Sequence, residues 1–114
     1  MSWNQSEIER ARETIIETAR QILAEEVSPI EGARLIVACR MFARLESDRD
    51  ILPFVGIDSE TETLPLGKDR HHWRSGSLAE LAPAIEAAQA WALKIAIRPC
   101  ENLLQRAEEL LFRG

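Results

Sequence analysis

The stretch Ser28–Leu45, SPIEGARLIVACRMFARL, decides the fold, because a complete helix start is followed by a very wide apolar surface. Ser28 is a preferred capping residue, and Pro29 suits the first helical position. Glu31, three residues after Ser28, completes a capping box. A helix that is apolar around so much of its circumference is typically buried, so we expect it to be central. Its apolar positions are Ile30, Ala33, Leu35, Ile36, Val37, Ala38, Cys39, Met41, Phe42 and Leu45.

The preceding segment, residues 5–25, predicts an amphipathic helix. Apolar residues recur there at three- and four-residue steps on one face, and charged residues cover the other. The apolar stripe consists of Ile8, Ala11, Ile15, Ala19, Ile22 and Leu23, and the charged face of Glu7, Glu9, Arg10, Arg12, Glu13, Glu17 and Arg20.

The end of the chain predicts one further long helical segment. Ser77 and Glu80 form a second capping-box pattern, and Pro83 suits the first turn of a helix that continues to about Phe112. Pro99 removes a backbone hydrogen bond, so we expect a kink or a break near Arg98. Such a break divides a segment of about 45 Å into two helices. The sequence therefore predicts an all-α bundle of three to four helices, with residues 1–114 in one domain.

Composition narrows the class of protein. The chain of 114 residues is 46% hydrophobic and 29% charged, which is typical of a globular domain. Its net charge of −5 argues against nucleic acid or an anionic membrane as a partner. Two cysteines in helical patterns and a charged start without an apolar signal core favour the cytoplasm.

Between the helices lies a segment, residues 46–76, without helical periodicity. We expect it to form a long ordered loop packed on the second helix, because it holds too much apolar surface to remain solvated. Residues 46–62 contain six acids and one base, so this part alone has a net charge of −5, as does the whole chain. The acids are Glu46, Asp48, Asp50, Asp58, Glu60 and Glu62.

A metal site is one interpretation of this loop. If the backbone is extended, Asp58, Glu60 and Glu62 project to the same side, and His71 and His72 add imidazoles nearby in the sequence. Hydrolytic metal sites need about three protein ligands and an open position. The spacing matches no diagnostic metal motif, including the calcium-loop pattern. We therefore expect no cofactor, and the metal alternative rests on residue types only.

A structural role for the acids is the opposing interpretation. If the loop folds back over the second helix, its carboxylates pair with Arg34, Arg40 and Arg44, whose guanidinium groups can each grip a carboxylate through two hydrogen bonds. The sequence leaves open whether the acids face solvent or these arginines.

The segments Leu52–Glu62 and Leu64–Gly67, with the GIDSET and LPLG motifs, resemble a group of short bacterial proteins that carry no assigned activity. Trp73 and Trp91 belong to the same resemblance, which covers nearly the whole chain. It implies a shared fold and supplies no catalytic residues. In size and charge the chain is also similar to immunity proteins of bacterial toxin systems.

The leading functional prediction is a non-enzymatic module that binds a basic protein, as an immunity protein covers a toxin. Localised acidic charge steers such a partner and disfavours wrong ones. Asp58, Glu60, Glu62 and Trp73 are the predicted contact residues. Two alternatives stay open: a metal-dependent enzyme that uses the loop carboxylates and histidines, and a homodimer subunit that buries the faces of the second and final helices.

Overall fold

A computed structural model describes the backbone of residues 2–64 and 75–112 and the side chains of residues 5–64 and 79–112. The regular elements in these ranges are helices, which confirms the all-α prediction. They are α1 (Ser2–Leu23), α2 (Pro29–Cys39), α3 (Leu52–Thr61), α4 (Ser75–Gln105) and α5 (Ala107–Phe112). The described part thus has five helices rather than three or four, since α3 lies inside the predicted loop 46–76. No helix of the described ranges is long and apolar enough to cross a membrane.

The start and the position of α2 agree with the prediction. The Ser28 hydroxyl accepts a hydrogen bond from the Glu31 backbone N–H at 3.2 Å, and Pro29 opens the helix. α2 packs against α1, α3 and α4, so it is central. The helix ends six residues earlier than its apolar pattern, however. Met41 and Phe42 follow it in a turn, where their side chains are 64% and 61% exposed.

The core is aliphatic, and it forms where α1 and α2 approach closely. The predicted stripe of α1 is buried from Ala11 to Ile22. Gly32 of α2 permits the approach, because a Cβ atom at this position would lie 2.6 Å from the Ile22 side chain. The other large buried side chains include Ile30, Ile36, Ile51, Phe54, Ile57 and Leu103.

Arg12 does not belong to the solvent-facing side of α1 on which the charge pattern places it. Its side chain is only 9% exposed. Its Nε donates to the backbone carbonyl of Ala43 at 2.8 Å, and its Nη1 donates to that of Leu110 at 3.1 Å. Arg12 therefore joins α1 to the turn after α2 and to α5, a pairing of distant segments that helical periodicity does not encode.

α4 continues through both of its prolines, so the break that was one of the two outcomes expected near Arg98, a kink or a break, does not occur. The helix begins at Ser75, passes Pro83 and Pro99, and ends at Gln105. Its second half is embedded, with Ala92, Ala96, Cys100 and Leu103 at zero exposure. The burial of this stripe on both sides of Pro99 favours a continuous helix over a break. The interruption falls instead at Arg106, between α4 and α5.

Both cysteines are free. Cys100 is buried in α4, and this burial, with a smaller effect of Glu101, raises the pKa of its thiol to about 12. Burial also raises the pKa of Cys39. These thiols are protonated side chains that pack like small hydrophobic residues.

Candidate functional site: the groove between α3 and α4

Four of the six acids of residues 46–62 fall into an inward-facing and an outward-facing pair. Asp48 and Asp50 form the inward group. Arg106 donates to Asp48 Oδ2 at 2.7 Å and to Asp50 Oδ2 at 2.5 Å, and Asn102 donates to Asp50 Oδ1 at 3.0 Å. Asp50 is 5% exposed and Arg106 is 22% exposed. These contacts attach the connection between α2 and α3 to the joint between α4 and α5.

The electrostatics of this cluster are those of a satisfied ion pair. The hydrogen bond from Arg106 and that from the Asp50 backbone N–H lower the pKa of Asp48, although burial opposes them. The same pairing raises the pKa of Arg106. In the described part of the chain, no buried side-chain nitrogen or oxygen lacks a hydrogen-bond partner. The cluster is therefore a structural connection, with no carboxylate left for a ligand.

The sequence left open whether the acids face solvent or pair with Arg34, Arg40 and Arg44, and among the described residues the structure shows one weak contact of this kind. Arg34 Nε lies 3.9 Å from Asp58 Oδ1, but its stronger bonds are to backbone oxygens. Its Nη2 donates to the carbonyl of Thr61 at 2.6 Å and to that of Leu64 at 3.2 Å, which satisfies the end of α3. Arg40 donates to the Val37 carbonyl of its own helix end.

Asp58, Glu60 and Glu62 do not converge, because their backbone is helical rather than extended. Asp58 and Glu60 lie within α3, and Glu62 is the residue at its C-terminal cap. Positions two residues apart point to nearly opposite sides of a helix, while positions four apart share a side. Glu60 and Glu62 are exposed and have no ion-pair partner among the described residues. They form the outward-facing group.

Glu60 lies on the wall of an open groove between α3 and α4. The groove has a volume of about 380 Å³. Glu60 supplies its one charged side chain among the described residues, whereas most of the lining is small or apolar. The other lining residues are Thr61, Thr63, Leu64, Ala84, Ala87, Ala88 and Trp91.

Trp91 is the residue of this groove that sequence reasoning missed. A tryptophan in the apolar stripe of the last helix predicts a core residue, yet Trp91 is 40% exposed. The neighbouring Ala92 occupies the buried position instead. The small residues Ala84 and Ala87, two turns and one turn before Trp91, are the sequence signal that could have shown it, because they leave an open space beside the ring.

The described residues form no cluster of side chains that could serve as metal ligands. In the ranges 2–64 and 75–112, no group of three His, Cys, Asp or Glu side chains is close enough to hold an ion. His71, His72 and Trp73 lie outside the described residues, so the predictions made for them stay predictions. Comparison of the chain with protein-family models, with curated proteins and with solved structures finds no match.

Proposed function

We propose that this protein is a cytosolic, non-enzymatic binding module that holds a basic side chain of a protein partner in the groove between α3 and α4. The observation that supports this function is the position of the Glu60 carboxylate on a wall of small and apolar residues beside the exposed Trp91 ring.

A lysine or arginine matches this combination of surfaces. Its aliphatic stem packs on Leu64 and on the alanines of α4, as such stems cover apolar surface in proteins generally. Its charged head reaches the Glu60 carboxylate or the face of the Trp91 ring, and a cation over an indole is attracted by about 0.5 to 2 kcal/mol. An acidic side chain in the same position would be repelled by Glu60.

The surrounding charge supports a basic partner rather than a neutral one. Glu62, two residues after Glu60 in the sequence, is also exposed, and the chain has a net charge of −5. Such fields accelerate the encounter with an oppositely charged protein and fall with added salt. A toxin with a basic active site is the partner class that this arrangement suits, as in an immunity protein.

Capture from the native host, with purified wild-type protein as bait, tests the proposal. The affinity for the captured protein is then compared between wild type, Glu60→Gln/Glu62→Gln and Trp91→Ala. We expect each variant to bind at least about tenfold more weakly. We also expect the double variant to show a reduced dependence on salt.

Glu108→Gln/Glu109→Gln is the matched control, since it removes two exposed acids of α5 and the same net charge. It should keep most of the affinity. Equal losses in the two double variants would mean that net charge alone drives binding, and unchanged binding in both Glu60→Gln/Glu62→Gln and Trp91→Ala would exclude the groove.

A further inference from the structure

A second exposed surface lies just after the C-terminal end of α2, where the apolar sequence pattern of this helix continues into the following turn. Phe42 stands there as a ridge between two hollows along α1. Glu7, Ile8, Met41 and Arg44 line one hollow with it, and its volume is about 350 Å³. The second hollow, of about 240 Å³, lies between Phe42 and α1 near Arg10. We define the tip surface as Glu7, Ile8, Arg10, Met41, Phe42 and Arg44.

The tip surface is apolar at its centre. Phe42 and Met41 are adjacent in the chain and both are more than three-fifths exposed. Isolated exposed apolar residues are common, but two neighbouring large ones beside hollows form a contiguous patch of the kind that marks interaction sites. Ile8, the first residue of the predicted apolar stripe of α1, is half-buried at the edge of the patch.

The backbone holds this surface in place. Arg44 has a φ of 59°, in the left-handed region where glycine is usual. The Leu45 N–H donates to the Arg40 carbonyl at 2.9 Å, and the Arg44 N–H donates to the Met41 carbonyl at 3.1 Å. This is the hydrogen-bond pattern of a Schellman motif. The Arg12 side chain also donates to the Ala43 carbonyl, so binding would have little ordering cost to overcome here.

The rim of the tip surface carries both signs of charge. Glu7, Arg10 and Arg44 are exposed, and none of them has an ion-pair partner among the described residues. A partner surface of one sign would be repelled by part of this rim. In a two-fold symmetric pairing with a second copy, each contact occurs twice, so a contact between Glu7 and Arg44 pairs an acid with a base at two places.

We propose that two copies of this chain associate through the tip surface in a two-fold symmetric dimer. The Phe42 ridge of one copy inserts into the hollow between Phe42 and α1 of the other. Glu7 of each copy pairs with Arg44 of its partner. This inference is independent of the proposed function, because the groove beside Trp91 shares no residue with the tip surface.

Analytical ultracentrifugation of the full chain across micromolar to millimolar concentrations tests the dimer. We expect a concentration-dependent monomer–dimer equilibrium for the wild type. Phe42→Ser should weaken it at least tenfold, because an exposed ridge is removed without touching the core. Leu52→Ser is the control at an apolar residue that is 51% exposed on α3, and it should leave the equilibrium unchanged.

Charge reversal tests the two-fold pairing. Glu7→Arg and Arg44→Glu should each be monomeric, because like charges then face each other in the homodimer. Their equimolar mixture should form a heterodimer in which both pairs are again opposite. Glu25 adopts a φ of 60° in the same kind of helix end, so a glutamate fits the backbone at position 44.

A wild-type chain that stays monomeric through this range overturns the proposal. So does a dimer that Phe42→Ser and Leu52→Ser affect equally. A mixture of the two charge-reversed variants that fails to associate, from single variants that keep the wild-type fold by circular dichroism, overturns the pairing of Glu7 with Arg44.

Discussion

The inward-facing acids Asp48 and Asp50 and the outward-facing acids Glu60 and Glu62 belong to one short stretch of chain, yet they lie in opposite surroundings. The first pair lies against Arg106, which is more than fifty residues away in sequence. The second pair has no cationic partner in the described part of the chain, and Glu60 lines an apolar groove. The comparison teaches that local charge density does not distinguish a buried, ion-paired acid from an exposed one. What distinguishes them is the neighbour that the fold supplies.

Removal of Arg106, the partner of the inward-facing acids, should cause the largest loss in the free energy of unfolding. Arg106→Met leaves two largely buried carboxylates without their cation, and loss of one partner of a buried pair costs about 3 to 5 kcal/mol. We expect a value near the lower limit, about 3 kcal/mol, since Arg106 is partly exposed. Urea unfolding at neutral pH measures it. Arg98→Met, at a position 82% exposed, is the control and should stay within about 0.5 kcal/mol of wild type.

Removal of the charge of Asp48 should cause the next largest loss in the free energy of unfolding, and this loss should depend on pH. Asp48→Asn keeps the oxygen that accepts from the Asp50 N–H but weakens the bond with Arg106, so we expect a loss of about 2 kcal/mol at neutral pH.

The pKa of Asp48 in the folded state is lowered below its ordinary value of 3.8, so its ionised form stabilises the fold above that value. The stabilisation is lost as the pH falls through the lowered pKa. The gap between wild type and Asp48→Asn should therefore shrink below about pH 4 in a series of urea titrations. A gap that is constant down to the acid limit would show that Asp48 acts through shape and not through charge.

Substitutions at Arg34 and at its weak partner Asp58 should have effects on stability between those at the inward-facing and the outward-facing acids. Arg34→Met removes the donor to two carbonyls at the end of α3, for which we expect a loss of about 1 to 2 kcal/mol. Asp58→Asn should change stability by less than about 0.5 kcal/mol, because the ion pair is long and its carboxylate is partly exposed. If thermal or urea unfolding gave the same loss of stability for Arg34→Met and Asp58→Asn, the role of Arg34 as a donor to backbone carbonyls would be contradicted.

The outward-facing acids should have the smallest effect on stability. Glu60→Gln/Glu62→Gln should unfold within about 0.5 kcal/mol of wild type, as surface substitutions usually do. The same variant should weaken partner binding, so a large binding loss with unchanged stability would sharpen the comparison. A stability loss comparable to that of Asp48→Asn would place these acids in the structural group instead.

α3 illustrates where sequence reasoning fails in this chain. The helix begins after Ile51, which provides no side-chain cap, and it contains Pro53 and Gly56. Its apolar residues are distributed around the whole helix rather than along one face, so no 3.6-residue period is visible. Phe54 and Ile57 are buried, and α3 packs against α2 and α4, so its stability depends on contacts with residues distant in the sequence.

The candidate groove was predictable only in part. Exposure of Glu60 and Glu62 agrees with the expectation of an acidic surface, whereas a tryptophan in a helical apolar stripe predicts a core residue and Trp91 is 40% exposed. Glu60 and Trp91 are separated by thirty residues, and they meet because α3 packs against α4. Helical periodicity in one sequence does not show which helices pack together, so neither the groove nor the exposure of its tryptophan could be recognised from it.

The sequence by itself determined the elements that depend on short-range chemistry. These are the Ser28 cap, the stripe of α1, the central position of α2 and the overall negative charge. Tertiary structure alone decided which acids are buried, where the last helix is interrupted and which arginines bind backbone carbonyls. The physical reason is that caps and stripes involve residues within about four positions of each other, whereas desolvated ions are stable only beside partners that the fold brings from far along the chain.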